Sequence, residues 1–108
     1  MADNIALTEA VYYILLALSQ PLHGYGIMQR TAELSAGRVR LAAGTLYGAL
    51  STLVQKGWIA EIPAPDSSRK REYRLTAAGR DIALGELARL EELAANGRMV
   101  LGNWEEAL

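Results

Sequence analysis

The residues best suited to chemistry lie in one stretch, Gly44-Thr45-Leu46-Tyr47-Gly48-Ala49-Leu50-Ser51-Thr52-Leu53-Val54-Gln55. At helical period, Leu46, Leu50, Leu53 and Val54 form an apolar stripe. The opposite face carries Gly44, Gly48, Ser51, Thr52 and Gln55, with Tyr47 at its edge. A solvated helix face usually carries Lys and Glu. A face of Gly, Ser, Thr, Gln and Tyr can instead approach another surface closely and hydrogen-bond to it. The chemistry this suits is reading base edges in the major groove of DNA, with Thr45, Tyr47, Gly48 and Ser51 as the contacts. An ordinary surface helix of low polarity is the plainer reading, and Tyr47 could equally pack beneath a neighbouring hairpin.

A second set of residues suits phosphate. Arg38 and Arg40 precede the stretch, and Arg69-Lys70-Arg71 follows it. Residues 36–80 carry Arg38, Arg40, Lys56, Arg69, Lys70, Arg71, Arg74 and Arg80 against Glu61, Asp66 and Glu72, a net charge of +5. The ends carry −2 and −4, so the −1 of the whole chain hides a basic middle. Arg38, Arg40, Lys70 and Arg71 are the expected phosphate contacts, with Lys70 ranked above Arg71. Taken alone, Arg69-Lys70-Arg71 reads as a solvated charge run.

Catalysis finds little to work with. The chain has no cysteine and one histidine, His23, beside glycine in a turn, where a structural role is expected. No metal-ligand spacing, phosphate-binding glycine loop or paired carboxylates with a pocket occur. Glu91-Glu92 and Glu105-Glu106 read as solvated helix faces. No enzyme activity, metal or cofactor is expected. Without cysteine a reducing cytoplasm is the expected setting; the apolar run Val11 to Leu18 is too short to span a membrane and no basic segment precedes it, so neither a membrane span nor a signal peptide is expected.

The elements that must position these residues follow from pattern. In 108 residues with 51% hydrophobic side chains there is room for one compact domain with an extension. Thr8 opens a first helix, about 8–19, so apolar that it needs cover on two sides; one side is assigned to its own core and the other to a second subunit. A second helix, about 25–35, offers Tyr25, Ile27, Met28 and Leu34 to the core. The third, about 43–56, closes at Gly57 and lacks a capping side chain at Ala42 or Ala43, which leaves its first N–H groups free for a phosphate. Strands follow at about 58–62 and 71–75. Thr76 opens a last helix. Ala83, Leu87, Leu90, Ala94, Gly97, Leu101, Trp104 and Leu108 advance along it in alternating steps of 4 and 3. Glu86 and Arg89 lie off that stripe. Asn96-Gly97 is where this helix is expected to kink or break.

The fold read from these pieces is mostly α with a two-stranded β-wing. Residues 1–75 form a winged helix-turn-helix, and residues 76–108 form a dimerisation helix.

The ordered pieces Leu15-Leu16-Ala17-Leu18, His23-Gly24-Tyr25-Gly26-Ile27, Gly44-Thr45-Leu46-Tyr47-Gly48-Ala49-Leu50 continuing to Leu53, Gly57-Trp58-Ile59 and Arg69-Lys70-Arg71-Glu72-Tyr73-Arg74-Leu75-Thr76-Ala77-Ala78-Gly79 resemble the PadR family of bacterial transcriptional regulators in its short form. The resemblance implies a dimeric winged-helix repressor on a palindromic operator in double-stranded DNA. It also implies that Thr45 and Tyr47 face DNA and that Lys70 and Arg71 serve the wing. Some short members hold planar compounds between paired C-terminal helices, against a tryptophan at mid-helix. Counted from Thr76, that position here is Leu90, and Trp104 lies about four turns further on. A small apolar or aromatic effector, if bound, would be lined by Tyr12, Tyr13, Leu90 and Trp104. Two alternatives compete with the DNA reading: a winged-helix adaptor that binds proteins, and a dimer whose main task is holding apolar ligands.

Overall fold

The computed structural model describes residues 6–63 and 71–102. Its elements are α1 (Glu9–Ala17), β1 (Leu22–His23), α2 (Gly24–Leu34), α3 (Ala43–Lys56), β2 (Ile59–Ile62), β3 (Glu72–Leu75) and α4 (Ala77–Leu101). Each helix begins where the local chemistry allows. The Thr8 hydroxyl accepts the Val11 N–H, and the Thr76 hydroxyl accepts the Gly79 N–H. His23 caps α2, its Nδ1 accepting the Gly26 N–H at 3.1 Å, which gives the single histidine a structural task. At α3 no side chain caps Ala42, and Gly57 closes the helix at φ 78°.

The wing is larger than the two strands expected. Leu22 and His23 pair antiparallel with Tyr73 and Glu72, so the sheet has three strands in the order β1-β3-β2. The main hairpin pairs Ile59 with Leu75 and Ile62 with Glu72. β1 reaches the sheet from the turn between α1 and α2, and it thereby ties the wing to the start of the helix-turn-helix.

Ile14, Leu15, Ala17 and Leu18 of α1 and its end meet Ile27 of α2, Leu46, Leu50 and Leu53 of α3, Ile59 and Tyr73 in one core. Fully burying a side chain of this size contributes about 1.5–3 kcal/mol. The α2–α3 elbow is held by Ser35, whose hydroxyl donates to the Thr31 carbonyl and accepts the Val39 N–H, both at 2.8 Å. Ala36 and Gly37 take positive φ there, which turns the chain sharply between the two helices.

Several expectations need correction. Tyr25 and Leu34 are exposed, not core, because α2 has only one buried face and Ile27 and Thr31 occupy it. Val54 is also exposed, at the solvent edge of the α3 stripe. Glu86, which lies off the apolar stripe, is buried all the same; the first turns of α4 pack on α1, which covers that side of the helix as well. The same packing means that α1 takes part of its second cover from its own chain. The break expected at Asn96-Gly97 is absent, since α4 runs unbroken from Ala77 to Leu101. A helix stops at glycine when that residue turns left-handed, and Gly97 lies between good helix formers, Ala94, Ala95, Arg98 and Met99, and keeps the helical path. Among the described residues no helix is long and apolar enough to cross a membrane.

Candidate nucleic-acid interface

α3 presents Gly44, Thr45, Tyr47, Gly48, Ser51, Thr52 and Gln55 to solvent while Leu46, Leu50 and Leu53 fill the core. A Cβ added at Gly44 or Gly48 would meet nothing within 4 Å. The helix backbone is therefore open to close approach along this face. The Thr52 hydroxyl folds back to donate to the Gly48 carbonyl at 3.2 Å. Thr45 and Ser51 make no described hydrogen bond that would occupy their hydroxyls, and no charge interrupts the face.

Tyr47 has two roles. It is 50% exposed, yet its ring end lies directly over Gly24, where any β-carbon would collide with it. It also neighbours Tyr73, whose hydroxyl is pushed up by burial, then by Glu61 and Tyr47, and drawn down by Arg71. Tyr47 thus braces the start of α2 and still offers half its surface outward. The packing expected beneath the hairpin is instead largely on Gly24 of α2, and the remaining half of the ring faces solvent.

The cations sit on separate elements. Arg38 pairs with Glu9 at the start of α1, both well exposed. Arg40 is exposed at the elbow, its Nη2 close to Gly37, on a cleft of about 380 Å³ shared with Met28, Gln29, Ala32, Glu33 and Leu41. Arg71 pairs with Glu61 across the hairpin at 3.1 Å, with 73% of its side chain exposed. Arg38 and Arg71 each carry an acidic partner at the surface, where such pairs contribute at most about 1 kcal/mol and exchange readily for a phosphate. Lys70 lies outside the described residues.

Of the residues expected to line an effector site, Tyr12 enters a cleft of about 300 Å³ between α1 and α4, with Leu15, Leu16, Ala83, Leu84 and Leu87. Burial first, then Glu86, Glu91 and Tyr13, raises the pKa of the Tyr12 hydroxyl. Tyr13 tilts against Tyr12 at 6.4 Å between ring centres, outside the lining of that cleft. Leu90 is exposed further along α4, and Trp104 lies outside the described residues.

Sequence reasoning missed part of what sets this geometry. Thr76 does more than cap α4. Its hydroxyl also donates to the Gly57 carbonyl at 2.6 Å, and its N–H donates to the Trp58 carbonyl at 3.1 Å. Gly79 lies so close to the Trp58 carbonyl that no side chain fits. The end of α3 and the start of α4 are thus bolted together. Thr76 was read as a cap alone, and Gly79 only as part of the resemblance; their spacing carried the further signal. The buried Glu86 left no comparable trace.

A three-helix core, a third helix with an exposed uncharged face and a hairpin returning beside it define a winged helix-turn-helix. The family model for the PadR-like transcriptional regulators matches residues 13–83, and the chain belongs to that family. Among solved structures it is similar to a PadR family transcription regulator from Clostridium difficile, at 20% identity and TM-score 0.73, over 87% of this chain and 99% of that one. It is also similar to a complex of RosR, a protein of H. salinarum, at 26% identity and TM-score 0.66, over 93% and 99%. BpsR of Bordetella bronchiseptica, whose DNA binding is regulated by 6-hydroxynicotinic acid, matches at 21% identity and TM-score 0.67, over 91% of this chain and 69% of that one. No curated protein matches the chain.

Proposed function

We propose that this regulator binds a palindromic operator in double-stranded DNA as a homodimer, represses transcription in the cytoplasm, and is released by a small apolar or aromatic effector. Residues 1–75 do the reading and residues 76–108 do the pairing. Each α3 enters a major groove, the two grooves lying about 34–36 Å apart on one side of the duplex. Thr45, Tyr47, Gly48 and Ser51 meet base edges. Arg38, Arg40, Lys70 and Arg71 meet phosphates, as do the uncapped N–H groups at the start of α3. The observation that carries this reading is the exposed, chargeless face of α3 with two glycines open to contact.

Pairing is supported by α4, which leaves Leu84, Leu87, Leu90, Leu93 and Leu101 exposed along one helix. Soluble surfaces seldom leave so much contiguous apolar area uncovered. The cleft beside Tyr12 opens next to these residues, so an effector there would touch the pairing helix.

Binding-site selection from random duplex, followed by titration of the selected site over a range of salt, tests the proposal. Enrichment of an inverted repeat is expected, with affinity falling linearly on a logarithmic salt scale. An adaptor that recognises proteins would enrich nothing and would shift no duplex at low salt.

A further inference from the structure

Among the described residues Glu86 is the one buried charged side chain, 4% exposed on α4. Its carboxylate accepts from Arg89 Nε at 2.9 Å and Arg89 Nη2 at 2.7 Å, and it faces the Leu7 N–H at 3.4 Å. The Arg89 hydrogen bonds draw its pKa down, burial opposes them, and the Leu7 N–H adds to the lowering. A helical pair three residues apart stabilises its helix just as well on the surface. Something else accounts for its burial, and what covers it is α1 and the segment ahead of α1.

That segment reaches the recognition helix. Ala6, Leu7, Thr8 and Val11 form one wall of a cavity of about 330 Å³, and Ala49, Thr52, Leu53 and Lys56 of α3, with Trp58, form the other. The Leu7 side chain packs on the core. Leu7 precedes α1, so its N–H has no partner within a helix or sheet, and a half-buried amide needs an acceptor. Glu86 supplies it. The link therefore runs from α4 through the Leu7 amide to the core that α3 shares, and residues 6–8 face the flank of α3 across that cavity.

We propose that Glu86 is a positioning residue for DNA recognition, pinning residues 6–8 to α4 so that they hold α3 at a fixed angle to the pairing helix. The inference rests on the DNA reading above. Thr76 fixes α3 to α4 at one end, and the Glu86 pin fixes it along its flank. With both in place, two recognition helices in a dimer keep the spacing that successive grooves demand.

The test uses the full chain and three variants: Glu86→Met, which removes the acceptor at similar volume, an ester in place of the amide joining Ala6 to Leu7, which removes the N–H donor and keeps the Leu7 side chain, and the two combined. Either single change should weaken binding to the selected operator about tenfold, a size usual for coupling between sites. The slope of affinity against salt should stay unchanged, because no phosphate contact is lost. The double variant should bind no more weakly than the single ones, since both remove the same pin. Amide resonances of Ala49 and Thr52 should shift in all three. Additive losses, a changed salt slope, or unmoved Ala49 and Thr52 resonances would overturn the proposal. Should the unaltered chain bind no duplex at all, the function proposed above falls, while the resonances still decide whether Glu86 holds α3.

Discussion

Gly48 tests the interface with two measurements that must move in opposite directions. It lies in the interior of α3, where glycine is less favourable than alanine by about 1 kcal/mol. A Cβ there would meet nothing within 4 Å, so Gly48→Ala should recover that stability without strain. In a domain of this size the melting temperature should rise by about 4–8 °C. If α3 seats its backbone in a groove, the new methyl group stands between helix and base edge. The loss should be about 1–2 kcal/mol, roughly a tenfold or greater fall in operator affinity. Thermal melting by circular dichroism gives the first value and fluorescence anisotropy on a labelled operator the second. A stabilised variant with undiminished affinity would remove Gly48 from the interface and would undercut the reading of α3. A lower melting temperature would mean that the face is packed, not open.

Other positions give simpler readings. Gly79→Ala forces a β-carbon into the Trp58 carbonyl, which is backbone and cannot step aside; a loss of about 1–3 kcal/mol in chemical denaturation is expected, and unchanged stability would refute the tight joint. Arg38→Gln breaks an exposed pair with Glu9, so stability should change by less than about 1 kcal/mol while the salt slope for DNA binding falls by about 1. For Glu86 the folded pKa lies below the reference value of 4.5, so its contribution is complete above that pH and is lost as pH falls through the lower, folded value. Unfolding followed over that acid range should therefore be steeper in pH for the natural chain than for Glu86→Gln; equal slopes would deny the carboxylate its stabilising partners.

Local chemistry was legible where it was local. α3 could be read to its bounds because the apolar stripe, the absent cap at Ala42 and the left-handed Gly57 all lie within sixteen residues. The caps Thr8 and Thr76 were legible for the same reason. β1 was not, because two residues beside Pro21 form a strand only through pairing with β3, some fifty positions away. The exposure of Tyr25 was hidden too: it is apolar enough for a core, and only the packing of Ile27 and Thr31 inward turns it out. The outward face of α3 was anticipated residue by residue, since periodicity settles which side chains oppose a stripe. The burial of Glu86 could not be, because a helix with an apolar stripe gives no hint that a preceding strand of chain will fold across its charged side.

The Thr76 joint makes the long helix a lever. Bonds from one threonine to Gly57, Trp58 and Gly79 place the fulcrum where α3 ends. At 1.5 Å per residue the 25 residues of α4 make an arm of about 37 Å, so a tilt of about 5° at the fulcrum swings its far tip by about 3 Å. The ratio works both ways. Under the function proposed above, a ligand wedged near the tip would need only a modest displacement there to register as a slight turn of α3, and such a turn would change how the two helices of a dimer meet a duplex.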